Sequence, residues 1–452
     1  MDSWIPQLDM WARALIVPLG VWILLSGLDD LFIDAICLCT WLKERALQDE
    51  DAVMAAPPKR IAILVPLWHE HAVIRQMVDH NIARITYPLY DFFLGVYPND
   101  GPTLMGAREL EARHRNVHVS VCRHPGPTSK ADCLNRAFQT MTACEAWEGR
   151  RFEVILTHDA EDVIHPHALH WINYHSNAYD MVQVPVLPLA TPMSMWTHGI
   201  YCDEFAEFQT KDMSGRQILG GFIPSNGVGT GYARWALDQF ATRGGHVFDP
   251  ECLTEDYENG LRLHFLGCPQ IFVPLRFEGH ELMATREYFP QSVGAAIKQR
   301  TRWVTGIALQ SWERHGWRGG MGTKYWLWRD RKGLIGNPVS MVTSLLFLYG
   351  LATLGWSRCT GHVWGMSSLA ADVPSVLLLG STSAIQVLHL AVRACCSARV
   401  YGWRFAAGVP VRAILANYIN FRATLGALRR YAWARLRARP LVWLKTEHTY
   451  PV

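Results

Sequence analysis

"RFEVILTHDAED", Arg151 to Asp162, decides how the chain is read. Its first half is a short apolar run, and its second half sets Asp159, Glu161 and Asp162 within four positions. A buried strand that delivers acids at its carboxyl end belongs to an open α/β sheet, where ligands sit outside those ends. Hard divalent cations take oxygen ligands, commonly one or two carboxylates together with substrate phosphates. Mg²⁺ or Mn²⁺ bridging a nucleotide diphosphate would neutralise charge on the leaving group. The plainer alternative is an acidic turn ahead of a helix starting near Pro166, with Asp162 as its N-terminal acid. His165, His167 and His170 follow, but their spacing fits no zinc finger and no cysteine pair joins them.

Outward from that stretch, strand and helix patterns alternate. "RIAILVPLW" (60–68), after Pro57 and Pro58, is an apolar run of parallel-strand type. Residues 70–84 carry Val73, Ile74, Met77 and Ile82 at helical spacing. "DFFLGVYPND" (91–100) reads as a second strand running into a turn, and "NVHVSVCR" (116–123) alternates as a third. Residues 130–143 read as a helix. Such alternation predicts a doubly wound parallel sheet between Pro57 and about Lys332. The polar clusters fall at the strand ends: Trp68-His69-Glu70, Asn99-Asp100-Gly101 and the three acids. No GxGxxG or GxxxxGK[ST] loop occurs at any of them, which argues against a nicotinamide enzyme or a P-loop ATPase.

Three further stretches carry chemistry. "LTEDYENGLRLHFLG" (253–267) places Glu255 and Asp256 ahead of a helix. They read as helix caps or as a general base for an acceptor hydroxyl. "PSNGVGTGYAR" (224–234) reads as a flexible loop whose glycines let backbone approach a ligand, with Gly229, Thr230 and Gly231 at the acceptor. "IKQRTRWVTG" (297–306) gathers Gln299, Arg300 and Arg302 beside Trp303. Guanidinium forks suit a diphosphate, and the indole face suits a stacked sugar or base. The alternative there is an interfacial helix anchored by Arg and Trp.

Composition supplies the setting. Half of the 452 residues are apolar, 19 are Trp and only 18% are charged. The mean hydropathy of +0.02 suits a soluble domain joined to spanning segments. Residues 14–28 are uncharged behind Arg13, with no small-residue cleavage site, and read as a retained anchor. Runs 333–357 and 373–392 are uncharged over 25 and 20 residues. Each can cross a core of roughly 30 Å at about 1.5 Å per residue. Residues 405–431 are apolar too, but Arg412, Arg422, Arg429 and Arg430 favour an amphipathic helix lying in the interface. The net charge of +3 conceals ten arginines and no acid between Arg393 and Pro440. Their interleaved Leu, Ala, Trp and Phe suit an anionic membrane surface rather than nucleic acid. Three crossings put that tail and the sheet domain on one side, the cytoplasm by the positive-inside rule. The expected organisation is an anchor at 1–43, a catalytic domain at 57–332, two spans within 333–392 and basic interfacial helices at 393–452. The eleven cysteines show no paired spacing, which suits buried thiols in a reducing compartment.

Taken together, these motifs resemble the membrane-bound family 2 glycosyltransferases of GT-A fold, the group of the cellulose, chitin and hyaluronan synthases. The resemblance covers Arg60 to roughly Arg331, and its most specific part is "QRTRW" against Gln-x-x-Arg-Trp. It implies a Rossmann-like α/β domain plus transmembrane helices and an inverting transfer from a nucleotide-sugar, UDP-linked, to a glycan. "VPLWHE" is similar to the nucleotide-pocket motif and would place Trp68 on uracil, with Glu70 beside it. Asp100 in "YPNDG" matches the second acid of Asp-Asp-Gly, Asn99 replacing the first. "SKADCLNRAF" places Lys130 near the donor phosphates, with Gln299, Arg300 and Arg302. "DAED" stands for Asp-x-Asp, so the metal pair is Asp159 with Glu161 or one that includes Asp162. "TED" makes Asp256 the base with Glu255 beside it, and Trp303 meets the acceptor. "LSGLDDLFIDA", "GVYPNDGPT" and the closing "WLKTEHTYP" are similar to the NfrB-type subgroup of that family. That likeness implies a multi-pass bacterial inner-membrane enzyme building an exported amino-sugar polymer with an outer-membrane export partner. Many of that subgroup carry a C-terminal cyclic-di-GMP-binding domain, for which the chain ending at Val452 leaves no room, so direct cyclic-di-GMP binding is not expected.

Two other readings compete. A polyprenyl-phosphate glycosyltransferase explains the carboxylates but not "QRTRW" beside several spans. A membrane receptor or scaffold on an inactive transferase fold has no need of Asp159, Asp256 and Gln299–Trp303 together.

Overall fold

The computed structural model describes residues 4–43, 50–244, 246–278, 281–441 and 450. A seven-stranded sheet lies at its centre: β1 (Ile61–Leu67), β2 (Tyr90–Val96), β3 (Val117–Val121), β4 (Val154–Thr157), β5 (Met181–Gln183), β7 (Thr230–Ala233) and β8 (Gln270–Phe272). β6 (Val186–Pro188) stands apart and pairs in parallel with residues 285–287. The order across the sheet is β3-β2-β1-β4-β7-β5-β8. β1 is parallel to both its neighbours, Ile61 standing opposite Tyr90 of β2 and Val154 of β4. The alternation along β1 assigns its faces. Ile61, Ile63, Val65 and Leu67 enter one core with Leu94, Leu156 and Trp171, while Ala62 and Leu64 enter the other with Phe93, Phe138 and Ile155.

The sheet is mixed, not wholly parallel as the alternation of elements predicted. β7 runs antiparallel to β4 and β5 between them. It comes from "PSNGVGTGYAR", read above as a loop. Gly231 is required inside the sheet because a Cβ there would stand 2.5 Å from Ile172 Cγ2.

The helices that position the site are α1 (Trp4–Lys43), α2 (Gly101–Arg113), α3 (Lys130–Glu148), α4 (Trp196–Glu207), α5 (Glu255–Phe265), α6 (Val293–Trp303), α7 (Met321–Thr360), α8 (Val373–Tyr401) and α9 (Val409–Leu436). Three helices, Pro6–Cys39 within α1, α7 and α8, are long and apolar enough to cross a membrane. α1 and α7 are antiparallel: Asp9 accepts from Tyr349 at 2.9 Å at one end, and Asp29 accepts from Lys332 at 2.7 Å at the other. The stretch from Asp9 to Asp29 rises roughly 30 Å, one bilayer core. α8 runs parallel to α1, with Leu378 against Gly20 and Ile385 against Gly27. The three helices thus run alternately up, down and up, so that the sheet domain and α9 lie at the same end of them.

α9 is packed into the protein and is no free surface helix. It lies against α6, α7 and α4, and Arg412 is buried with only 1% exposure. Arg422 and Arg429 remain exposed. The closing "WLKTEHTYP" lies outside the described residues apart from Tyr450, whose ring packs on His80. All eleven cysteines are free thiols.

Candidate active site

An open cleft lies at the carboxyl ends of β1, β2 and β4, lined by Trp68, Glu70, Tyr97, Ser129, Lys130, Cys133, Asp159, Ala160 and Arg302. Its aromatic end is Trp68, edge-on to Tyr97 with ring centres 5.2 Å apart. The segment 123–129 crosses this end and is fastened from two sides. Asn99 donates to the Gly126 carbonyl at 2.8 Å and accepts from its amide at 2.7 Å, and Tyr97 bonds Thr128 at 2.8 Å. Sequence reasoning passed over Tyr97 and Ser129; the Ser129 hydroxyl caps α3, whose first residue is Lys130.

Asp100 does not reach the cleft. Its carboxylate accepts from the His69 amide at 2.6 Å and caps α2 through the Thr103 amide at 3.4 Å, with 1% exposure. His69 has φ +56, a conformation that costs a non-glycine residue free energy, and the Asp100 bond holds that turn behind Trp68. The structure thus places the Asp100 carboxylate in the turn behind Trp68 and at the start of α2.

The polar end concentrates charge. Lys130 Nζ lies 2.6 Å from Asp159 and 3.9 Å from Glu255. Burial works against its ammonium form, but Asp159, Glu255 and Asp256 outweigh burial and hold the pKa above the usual lysine range. Burial and the neighbouring Asp256 push the Glu255 carboxyl up to about 7, against the pull of Lys130. Burial also raises Asp256, opposed by Lys130 and Arg302. Asp256 is seated by the Tyr257 amide, 2.7 Å from its Oδ1, and by Gly227. Gly227 has φ +82, and a Cβ there would meet Asp256 Oδ2 at 2.5 Å, so only glycine leaves that carboxylate its place. Gln310 grips the approach to these acids, accepting from the Leu253 amide at 3.1 Å and donating to the Glu251 carbonyl at 2.7 Å. Gly227 is the first of the three glycines of "PSNGVGTGYAR", whereas Gln310 carried no motif signal.

The "QRTRW" residues separate. Arg302 lines the cleft and donates to the Leu253 carbonyl at 3.5 Å. Arg300, expected beside it on the diphosphate, points elsewhere: it is buried, 2.7 Å from Glu204, bonded to Asn420 at 2.6 Å and stacked 4.4 Å above Tyr201. Residues two apart on a helix do not share a face. Gln299 does not line the cleft either. Trp303 is half-buried among Tyr201, Phe205 and Phe289.

The acids of "DAED" also divide. Asp162 is fully buried, bonded to His158 at 2.6 Å and to the Asp159 amide at 3.0 Å, which removes it from the metal set. Glu161 is 3% exposed and does not line the cleft. Asp159 faces the cleft, and no three His, Cys, Asp or Glu groups converge as a metal cage among the described residues. One cleft-facing carboxylate with room for phosphate oxygens is a donor set that Mg²⁺ or Mn²⁺ accepts. Gly229, Thr230 and Gly231 do not line the cleft. Thr230 bonds Gln183 at 2.7 Å inside the sheet, and Gly229 exchanges backbone bonds with Thr157 and Val184 at 3.0 Å.

Residues 57–306 match the profile described as glycosyltransferase like family 2. The chain belongs to that family. This family 2 glycosyltransferase is 34% identical, over 97% of its length, to bacteriophage adsorption protein B of Escherichia coli strain K12. The same values hold for bacteriophage N4 adsorption protein B of Escherichia coli O157:H7. The chain spans 62% of the length of those two relatives. Its fold is that of a mannosyltransferase from Pyrobaculum calidifontis solved with GDP-Man and Mn²⁺, at TM-score 0.53 and 14% identity over 95% of this chain and 99% of the other. The family match ends at residue 306, just past the cleft arginine.

Proposed function

We propose that this glycosyltransferase moves a sugar, an N-acetylated amino sugar, from a UDP-sugar onto a growing exopolysaccharide at the bacterial inner membrane, inverting the anomeric centre. One observation carries the reading: Lys130, Asp159 and Arg302 line one end of a cleft whose other end is Trp68, with Glu255 3.9 Å behind Lys130 and Asp256 within electrostatic reach of Lys130 and Arg302. The indole stacks on the base, and Lys130 and Arg302 neutralise the diphosphate. Asp256 accepts the proton of an acceptor hydroxyl as its oxygen bonds to the anomeric carbon, and the bond from that carbon to the nucleoside diphosphate breaks. Mg²⁺ or Mn²⁺ held by Asp159 and the donor's phosphate oxygens would add charge neutralisation on the leaving group. Trp303 meets the acceptor glycan. The sheet domain and α9 face the cytoplasm and membrane lipid surrounds α1, α7 and α8, with the product passed to an outer-membrane export partner.

The test incubates membranes carrying the full chain with radiolabelled UDP-sugars, with GDP-mannose as the contrasting base, with and without divalent metal. Incorporation from a UDP-sugar that depends on Asp256 is expected. Equal incorporation by wild type and Asp256→Asn would overturn the assignment.

A further inference from the structure

α4 carries three acids, and each pairs with a cation from a different element. Asp203 accepts from Arg412 of α9 at 2.6 Å and from Ser397 of α8 at 2.7 Å. Glu207 accepts from Arg393 of α8 at 2.7 Å and from Lys211 at 2.7 Å, and Lys211 also reaches Asp34 of α1 at 2.7 Å. Glu204 faces Arg300 of α6 at 2.7 Å. Most of these groups are almost wholly buried: Asp203, Glu207, Lys211 and Arg412 are each no more than 5% exposed and Arg300 is 6%, while the side chains of Glu204 and Arg393 are half-buried. Both ends of a buried pair must stay in register, since a partner left alone is an uncompensated charge. α4 is thus the common seat of two membrane helices, α9 and the helix that carries the cleft arginine.

The geometry of α6 gives that seat a catalytic consequence. Arg300 and Arg302 are two residues apart, so they point to roughly opposite sides of the helix. Glu204 and Asn420 hold Arg300 on the α4–α9 side, Tyr201 lies beneath its guanidinium, and Tyr201 and Phe205 flank Trp303. With that side fixed, Arg302 is turned into the cleft and lies against the Leu253 carbonyl just ahead of Glu255 and Asp256. We propose that Glu204 is a positioning residue for glycosyl transfer: by holding Arg300 it sets the rotation of α6 and keeps Arg302 on the donor diphosphate. This rests on the cleft being the nucleotide-sugar site.

A double-mutant cycle on the full chain in nanodiscs tests it, with UDP binding as the readout and thermal unfolding as the control for folding. Arg302→Ala should weaken UDP binding by about tenfold or more, the loss of one charged contact to phosphate. Glu204→Gln should weaken it too, and the double variant should bind no worse than Arg302→Ala alone. Exchanging the pair, Glu204→Arg with Arg300→Glu, should recover most of the lost affinity. If Glu204→Gln is not obtained folded, Glu204→Asp, which keeps the charge but withdraws it by one methylene, takes its place in the cycle. Losses that multiply in the double variant, or a Glu204 variant that binds as wild type does, overturn the positioning role alone. A wild-type chain that binds neither UDP nor GDP overturns the donor cleft itself, and the positioning role with it.

Discussion

Glu255→Gln offers a test of the carboxylate pair in which the sign depends on pH. Glu255 is 3% exposed and its pKa stands at about 7 against an ordinary 4.5. Each pKa unit corresponds to about 1.4 kcal/mol, so the ionised carboxylate opposes folding by roughly 3 kcal/mol. Below pH 4.5 the group is protonated in both folded and unfolded chains, and its contribution to stability is fully present. As pH rises through 7 the unfolded chain ionises freely, while the folded chain must keep a buried charge beside Asp256, so that contribution is lost. Glutamine has the same shape and stays neutral, and Lys130 keeps its 2.6 Å contact with Asp159. The variant should therefore match wild type near pH 4.5 and exceed it at pH 8.5 by up to roughly 3 kcal/mol, about 6–12 °C in Tm for a domain of this size. Thermal unfolding of the detergent-solubilised chain at the two pH values measures this. A Tm difference that is the same at both pH values would refute the reasoning.

Other expectations follow from the same geometry. Asp256→Asn should abolish transfer while UDP binding stays within a few-fold, since a general base acts on the transition state more than on the ground state; parallel loss of both would assign Asp256 to donor binding. EDTA should stop transfer and Mg²⁺ or Mn²⁺ restore it, and Asp159→Ala should resist that restoration; full activity in chelator would remove the metal. Trp303→Ala should shorten the product more than it slows nucleotide release, whereas Arg302→Ala should reduce both, by roughly 10–150-fold for a charged contact worth about 1.5–3 kcal/mol. Equal proportional losses in the two variants would contradict that division. Reporter fusions after Lys332 and after Val452 should both report the cytoplasmic side, and an active periplasmic phosphatase at either place would sink the three-crossing arrangement.

What the sequence made legible was what elementary periodicity encodes. β1 announced itself because its residues alternate between two cores, and every one of them is apolar. β7 did not, since its place in the sheet is set by what surrounds it. Gly231 is glycine because Ile172 occupies the space of its side chain, and a glycine chosen for tertiary crowding looks in sequence like one chosen for a turn. The acids raise the same difficulty in chemical form. Capping a helix, closing a turn, holding a metal and taking a proton all call for a carboxylate oxygen facing a positive partial charge. Asp100, Asp162, Asp159 and Asp256 are alike in sequence and divide only by partner. Asp100 and Asp162 have their oxygens on backbone amides and His158, Asp159 faces Lys130 and the cleft, and Asp256, though its Oδ1 also takes the Tyr257 amide, feels the charges of Lys130 and Arg302. The arginines divide by rotation about one helix axis, because the counter-charge that decides it, Glu204, lies almost a hundred residues earlier on α4. A motif such as "QRTRW" therefore names the helix that serves the cleft, and the acid on the helix behind it decides which arginine does the serving.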